Sequence, residues 1–91
     1  MKENTGRKVT VIIPNYNGLS FMEPCMAALE KQRCQDFDIL VVDNGSTDGS
    51  GQWLREHKIP TIFLETNTGF SGAVNVGIRA VRTPYVLLLN N

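Results

Sequence analysis

Residues 39–50 read ILVVDNGSTDGS, and the fold is decided there. Phe37, Ile39, Leu40, Val41 and Val42 form a nearly continuous apolar run ending at Asp43. Such a run is what a strand buried on both faces requires. The loop NGSTDGS then feeds a short helix over about 48–57, built around Trp53 and Leu54. An Asn-Gly pair between two alternating strands would signal a hairpin. Helix follows both Asn44-Gly45 and Asn17-Gly18, so neither is read as one.

The same strand–loop–helix unit recurs on either side. Upstream, VTVIIP at 9–14 is a buried strand, and 15–18 is a loop. Met22, Cys25, Met26 and Leu29 then fall at i, i+3, i+4 and i+7, the spacing of an amphipathic helix. Ser20 and Glu23 have the spacing of a capping box, which puts Pro24 in the tolerated first turn. Downstream, residues 59–65 predict a third strand, with Pro60 suiting a sheet edge. After a loop at 66–69, Phe70, Ala73, Val74, Gly77, Ile78 and Val81 predict a helix with an unbroken apolar stripe. Gly72 and Gly77 each cost about 1 kcal/mol against Ala inside a helix, which predicts close helix–sheet packing at both. Residues 85–90, YVLLLN, predict a fourth buried strand. The order β-α-β-α-β-α-β predicts an α/β fold with an open, mostly parallel sheet and right-handed crossovers. We expect strand order 3-2-1-4 and three layers, α/β/α.

Composition narrows the function. Nine Lys and Arg balance nine Asp and Glu in 91 residues. That balance excludes a basic nucleic-acid arm, a polybasic membrane patch and an acidic tail. With 42% apolar and 20% charged residues, the chain is neither disordered nor fibrous. The longest apolar run, 85–89, is far shorter than the roughly 20 residues of a spanning helix. Residues 1–8 are a polar tail with no apolar segment behind it, so no signal peptide is expected. Cys25 and Cys34 would lie about 13 Å apart on one helix, too far for a disulfide. Two reduced thiols, no zinc spacing around the lone His57, and a cytoplasmic location are expected.

In open α/β sheets, ligands bind beyond the strands' carboxyl ends, where strand order reverses. Here that crevice lies between the loop at 14–17 and Asn90–Asn91, with Asp43 beside it. PNYNG has one glycine where a dinucleotide fingerprint has three, so the backbone cannot cradle a pyrophosphate. A diphosphate would need a divalent metal held by carboxylates. Tyr16 offers a face for a nucleobase, worth about 1–3 kcal/mol when stacked, and Asp43 offers an acceptor for a base N–H. Plainer roles compete. Asp43 and Asn44 could form an Asx-turn, Asp48 a helix N-cap, and Tyr16 a turn aromatic. His57 suits a helix C-terminus and Trp53 suits packing. Asn75, Arg79 and Arg82 fall opposite the apolar stripe, where solvated surface and diphosphate contact are both open. Asn67 and Gly69 could be only a strand–helix turn, with Gly69 at positive φ.

Four segments, VTVIIPNYNG, ILVVDNGSTDGS, NTGFSGAVNVGI and YVLLLNN, resemble successive motifs of the family 2 glycosyltransferases. These have the Rossmann-like GT-A fold, and the rhamnosyltransferase-like branch is the most similar. The resemblance covers 9–91, nearly the whole chain. It implies inverting transfer of a sugar from a UDP- or dTDP-sugar to an acceptor hydroxyl, on a glycan or lipid-linked glycan. It implies nucleotide binding by Pro14, Tyr16, Asp43, Asn67, Gly69 and Asn75, with Tyr16 stacked on the base and Asp43 taking the pyrimidine N3–H. It implies Mg²⁺ or Mn²⁺ in the whole enzyme, on an aspartate just after Asn91, and none bound by this stretch. Residues 9–91 would then be a truncated GT-A unit, the nucleotide-binding half, with catalytic base and acceptor site beyond it. Weak nucleotide binding and no transfer are expected of this chain alone. The alternatives are a self-associating, non-catalytic half-domain, paired through the open edge of the fourth strand, and a receiver-like signalling domain. The latter needs clustered carboxylates at strand ends, and only Asp43 is well placed.

Overall fold

The computed structural model describes residues 6–32 and 36–90. Its elements are β1 (Val9–Asn15), α1 (Leu19–Glu30), β2 (Phe37–Asn44), α2 (Ser50–Glu56), β3 (Thr61–Leu64), α3 (Gly69–Ala80) and β4 (Tyr85–Leu88). The four strands are parallel and lie in the order β3-β2-β1-β4, as the alternation of elements predicts.

Side-chain alternation divides the core into two layers. Val11, Ile13 and Val41 face one way and pack with Met22, Cys25 and Met26 of α1 and Leu54 of α2. Ile12 and Val42 face the other way and pack against Ala73 of α3. The central strands are covered on both faces, which is why they read as continuous apolar runs. The buried Cys25 thiol is free, and burial pushes its pKa up. That favours the inert thiol form. Cys34 lies outside the described residues. Among the described residues, no helix is long and apolar enough to cross a membrane.

Gly77 supports the close packing expected of it. A Cβ there would fall 2.9 Å from Ile12 Cγ2 and 3.2 Å from Val42 Cγ2. Gly72 does not. Its Cβ would meet the Thr68 side chain, 2.7 Å from Oγ1, within the helix's own entry turn.

Other expectations are corrected. β4 is not buried, since all four of its residues are exposed. Among the described residues it is an edge strand, paired with β1 alone, and α3 seats on β2 and β1 instead. For the same reason the α3 stripe is only partly covered. Ala73 and Gly77 are buried, whereas Phe70 and Ile78 are exposed. The capping box does not form. α1 starts at Leu19, so Ser20 lies inside the first turn and Gly18 is the N-cap. Pro24 is therefore the sixth helical residue, in the second turn. The Ser20 carbonyl loses its helical donor, and its exposed position leaves water to replace it.

Candidate functional site

The end of β2 organises three loops. Successive strand residues point to opposite faces, so Asp43 and Asn44 reach in opposite directions. Asp43 turns toward the α1–α2 side. Its Oδ1 accepts hydrogen bonds from Asn15 Nδ2 at 3.1 Å and Ser46 Oγ at 2.6 Å. The Ser46 hydroxyl oxygen accepts in turn from the Asn17 backbone N–H at 2.9 Å, and Asn17 Oδ1 accepts from Thr47 N–H at 2.8 Å. Asn17 itself adopts φ 53°, a left-handed conformation that asparagine tolerates.

Asp48 closes this seam. Its Oδ2 accepts from Leu19 N–H, at the start of α1, at 2.9 Å. Its Oδ1 accepts from the N–H and hydroxyl of Ser50, at the start of α2, at 3.0 and 2.5 Å. One carboxylate thus caps two helix N-termini, more than the single cap its position suggests. Partial burial would raise the Asp48 pKa. Bonds from the Ser50 hydroxyl and the Leu19 and Ser50 N–H groups outweigh that and hold it below its ordinary value.

Asn44 turns toward α3. Its Nδ2 donates to Asn67 Oδ1 at 3.0 Å and to the Gly69 carbonyl at 3.1 Å. Its Oδ1 accepts from Thr68 N–H at 2.9 Å and Thr68 Oγ1 at 3.1 Å. Gly69 N–H donates to Asn67 Oδ1 at 2.8 Å. The neighbouring Gly45, at φ +76°, lies directly against this loop. A Cβ on it would come within 2.6 Å of the Thr66 carbonyl carbon. Turns from a side-chain oxygen to an N–H two residues on therefore occur at Asp48 and Asn67, not at Asp43 and Asn44.

These loops enclose a cavity of about 270 Å³ lined by Pro14, Asn15, Tyr16, Asn44, Asn67, Gly69, Phe70 and Asn90. It lies at the carboxyl ends of the strands, where the chain order reverses between β1 and β4. Tyr16 and Phe70 are each about half exposed, at 50% and 51%. Of the residues singled out from sequence, Pro14, Tyr16, Asn67, Gly69 and Asn90 line the cavity, and Gly69 has the expected positive φ of 84°. Asp43 lies behind the lining, 4% exposed. Its Oδ2 takes no hydrogen bond among the described residues and lies beside Gly51, where a Cβ would be 3.6 Å away. Asn75 is on the exposed side of α3, outside the lining. Asn91 lies outside the described residues. Sequence reasoning missed Asn44; Phe70 belongs to the 67–70 loop that the family resemblance places over the nucleotide, and it lines the cavity. The available signal for Asn44 was a polar residue closing an apolar run beside a glycine.

His57 and Trp53 take the structural roles open to them. The His57 ring stacks on Trp53 at 4.0 Å, with Nδ1 2.8 Å from the Trp53 carbonyl at the end of α2. A divalent metal does not fit the residues present. The cavity offers amides, carbonyls and a phenol, and no three His, Cys, Asp or Glu gather among the described residues.

The sequence profile of Glycosyl transferase family 2 matches residues 10–91. The chain belongs to that family. Similar relatives include the teichoic acid poly(glycerol phosphate) polymerase of Staphylococcus epidermidis, 34% identical over 91% of this chain and 12% of the relative. Another is the uncharacterized glycosyltransferase EpsJ of Bacillus subtilis, 36% identical over 86% of this chain and 24% of the relative. The family 2 chain thus spans a minor part of the length of either. Among solved structures, S. aureus TarS in complex with UDP-GlcNAc superposes with a TM-score of 0.82. It is 29% identical, over 91% of this chain and 26% of the TarS 1–349 chain. The mannosyltransferase PcManGT of Pyrobaculum calidifontis, in complex with GDP-Man and Mn²⁺, gives a TM-score of 0.72. It is 27% identical, over 86% of this chain and 26% of its own. The fold is that of these GT-A neighbours.

Proposed function

We propose that this family 2 chain binds the nucleotide of a UDP- or dTDP-sugar, as the donor-binding part of an inverting glycosyltransferase. The observation that carries the reading is the cavity at the β1/β4 reversal, with Tyr16 and Phe70 at its mouth and side-chain amides along its wall. Tyr16 stacks on the base, and Pro14 packs beside it. Asp43, hydrogen-bonded to the lining residue Asn15, is the acceptor assigned to the pyrimidine N3–H. Asn67 and Gly69 face the nucleotide from the α3 side, with Asn75 a turn and a half further along the helix. TarS, which binds UDP and UDP-GlcNAc, supports the donor class.

Because the chain spans 12% and 24% of the two relatives above, acceptor recognition, the catalytic base and the Mg²⁺ or Mn²⁺ site are assigned to other parts of the whole enzyme. The acceptor there is a glycan or lipid-linked glycan. The free Cys25 thiol favours a cytoplasmic setting.

Titration of this chain with UDP, dTDP and GDP, followed by amide NMR, tests the reading. Pyrimidine nucleotides should shift the amides of Tyr16 and residues 67–70 with millimolar affinity, and GDP should bind more weakly. No shift at about 10 mM UDP would reject it. Incubation with donor and Mg²⁺ or Mn²⁺ should give neither hydrolysis nor transfer by this chain alone.

A second reading has its own observation. Tyr85, Val86, Leu87 and Leu88 are all exposed on the open edge of the sheet, and edges of this kind pair with another chain. Self-association through β4 follows, and a monomer at high concentration by light scattering would reject it.

A further inference from the structure

The structure assigns to the Asn44 side-chain amide the task of positioning the cavity wall at 67–69, a task that a carboxylate of the same shape cannot perform. For its effect on ligand affinity the inference rests on the nucleotide reading above; for its effect on the wall it does not.

β3 pairs with β2 only as far as the Asn44–Leu64 register. Beyond Leu64 the chain leaves the sheet and has no ladder to hold it until α3 begins. α3 also lacks a cap from its own N-cap residue, Thr68. Asn44 ties down the loop and takes the Thr68 N–H, and it holds Asn67, whose Oδ1 takes the first helical N–H at Gly69. Asn44, 4% exposed, makes four hydrogen bonds to the loop at 2.9–3.1 Å.

The polarity of these four bonds is fixed. The Thr68 N–H can only donate, so the Asn44 atom facing it must be oxygen. The Gly69 carbonyl can only accept, so the other Asn44 atom must carry hydrogens. Asn67 cannot adapt by turning its amide, because its Oδ1 already receives Gly69 N–H. Two donors on one side and two acceptors on the other are the pattern of an amide. Aspartate at this position, 4% exposed, would set a second oxygen against Asn67 Oδ1 and the Gly69 carbonyl.

The consequence reaches the cavity because Asn44, Asn67, Gly69 and Phe70 are all part of its lining. Pro14 and Tyr16 come to the same cavity from β1 and the loop after it. A released 67–69 segment would shift Phe70 relative to Tyr16 while leaving the sheet intact.

The test uses this chain carrying Asn44→Asp. Asn44→Asp should retain the circular dichroism and core methyl spectrum of the parent. Its Thr68 and Gly69 amides should move in the spectrum and exchange roughly tenfold faster or more, while amides of β1 and α1 stay unchanged. UDP affinity should fall roughly tenfold. If Asn44→Asp does not fold, Thr68→Val removes only the hydroxyl contact, and a roughly two- to threefold rise in exchange at Thr68 and Gly69 is expected. Protection of both amides within a factor of about two of the parent in Asn44→Asp, or an unchanged pattern in Thr68→Val, would overturn the inference. If the parent itself fails to bind UDP, the nucleotide reading falls, and the Thr68 and Gly69 amides still decide the role of Asn44.

Discussion

β1 and β4 lie side by side, run parallel, and are both written in apolar residues, VTVIIP and YVLLL. Yet Ile12 and Ile13 of β1 are fully buried, while Tyr85 of β4 is 66% exposed and its three neighbours in the strand are exposed too. The local signal is the same; the surroundings differ. β1 has a strand on each side, α1 and α2 against one face and α3 against the other. β4 has one neighbour, and α3, which leads into it, rests on β2 and β1. An apolar run tells that a strand can be covered, but the crossover decides which strand is.

The contrast should break most visibly at Ile13. Ile13→Ala removes a fully buried side chain from the α1–α2 layer and should cost about 3–4 kcal/mol in urea unfolding. The seat of α3 on β1 is probed by Gly77→Ala. The added methyl meets Ile12 and Val42, costing about 1–3 kcal/mol by overpacking, less up to about 1 kcal/mol of helix propensity regained. A net loss of about 1–2 kcal/mol is expected in the same assay.

Asp48→Ala tests how the loop after β1 is tied down. Loss of two caps at an exposed position should cost about 1 kcal/mol. Because the folded-state pKa of Asp48 is lowered, the native state binds its proton less readily than the unfolded chain. Its stabilisation is therefore full above the unfolded value of about 3.9 and is lost as pH falls through the lower folded value. Parent and Asp48→Ala should converge in stability in acid below about pH 4 and differ at pH 7. The smallest change in stability belongs to β4. Leu87→Lys should shift unfolding by no more than about 0.5 kcal/mol, yet it should abolish any self-association seen by light scattering.

Strands, helices and their order were legible because each depends on local periodicity and on a handedness rule that admits few topologies. Pro14, Tyr16 and Asn90 were legible because the reversal point follows from that order, whereas Asn67 and Gly69 came from the family resemblance. What escaped was tertiary. The Ser20–Glu23 match is a real local pattern, but Asp48 supplies the N–H partner at the head of α1 from 29 residues away. Asn44 looked like the start of a turn because its partners lie 23–25 residues further on. Phe70 fitted the helical stripe, and only the placement of α3 over β2 and β1 leaves it in the open.

The shared carboxylate of Asp48 also bears on the order of folding. α1 takes the acceptor for its first N–H from Asp48, 29 residues away, while α2 takes its own from the same carboxylate two residues before it. A peptide covering residues 19–30 alone would be a weak helix in water. The first turn of α1 thus depends on a contact of high sequence separation, which the β1–β2 pairing brings within reach.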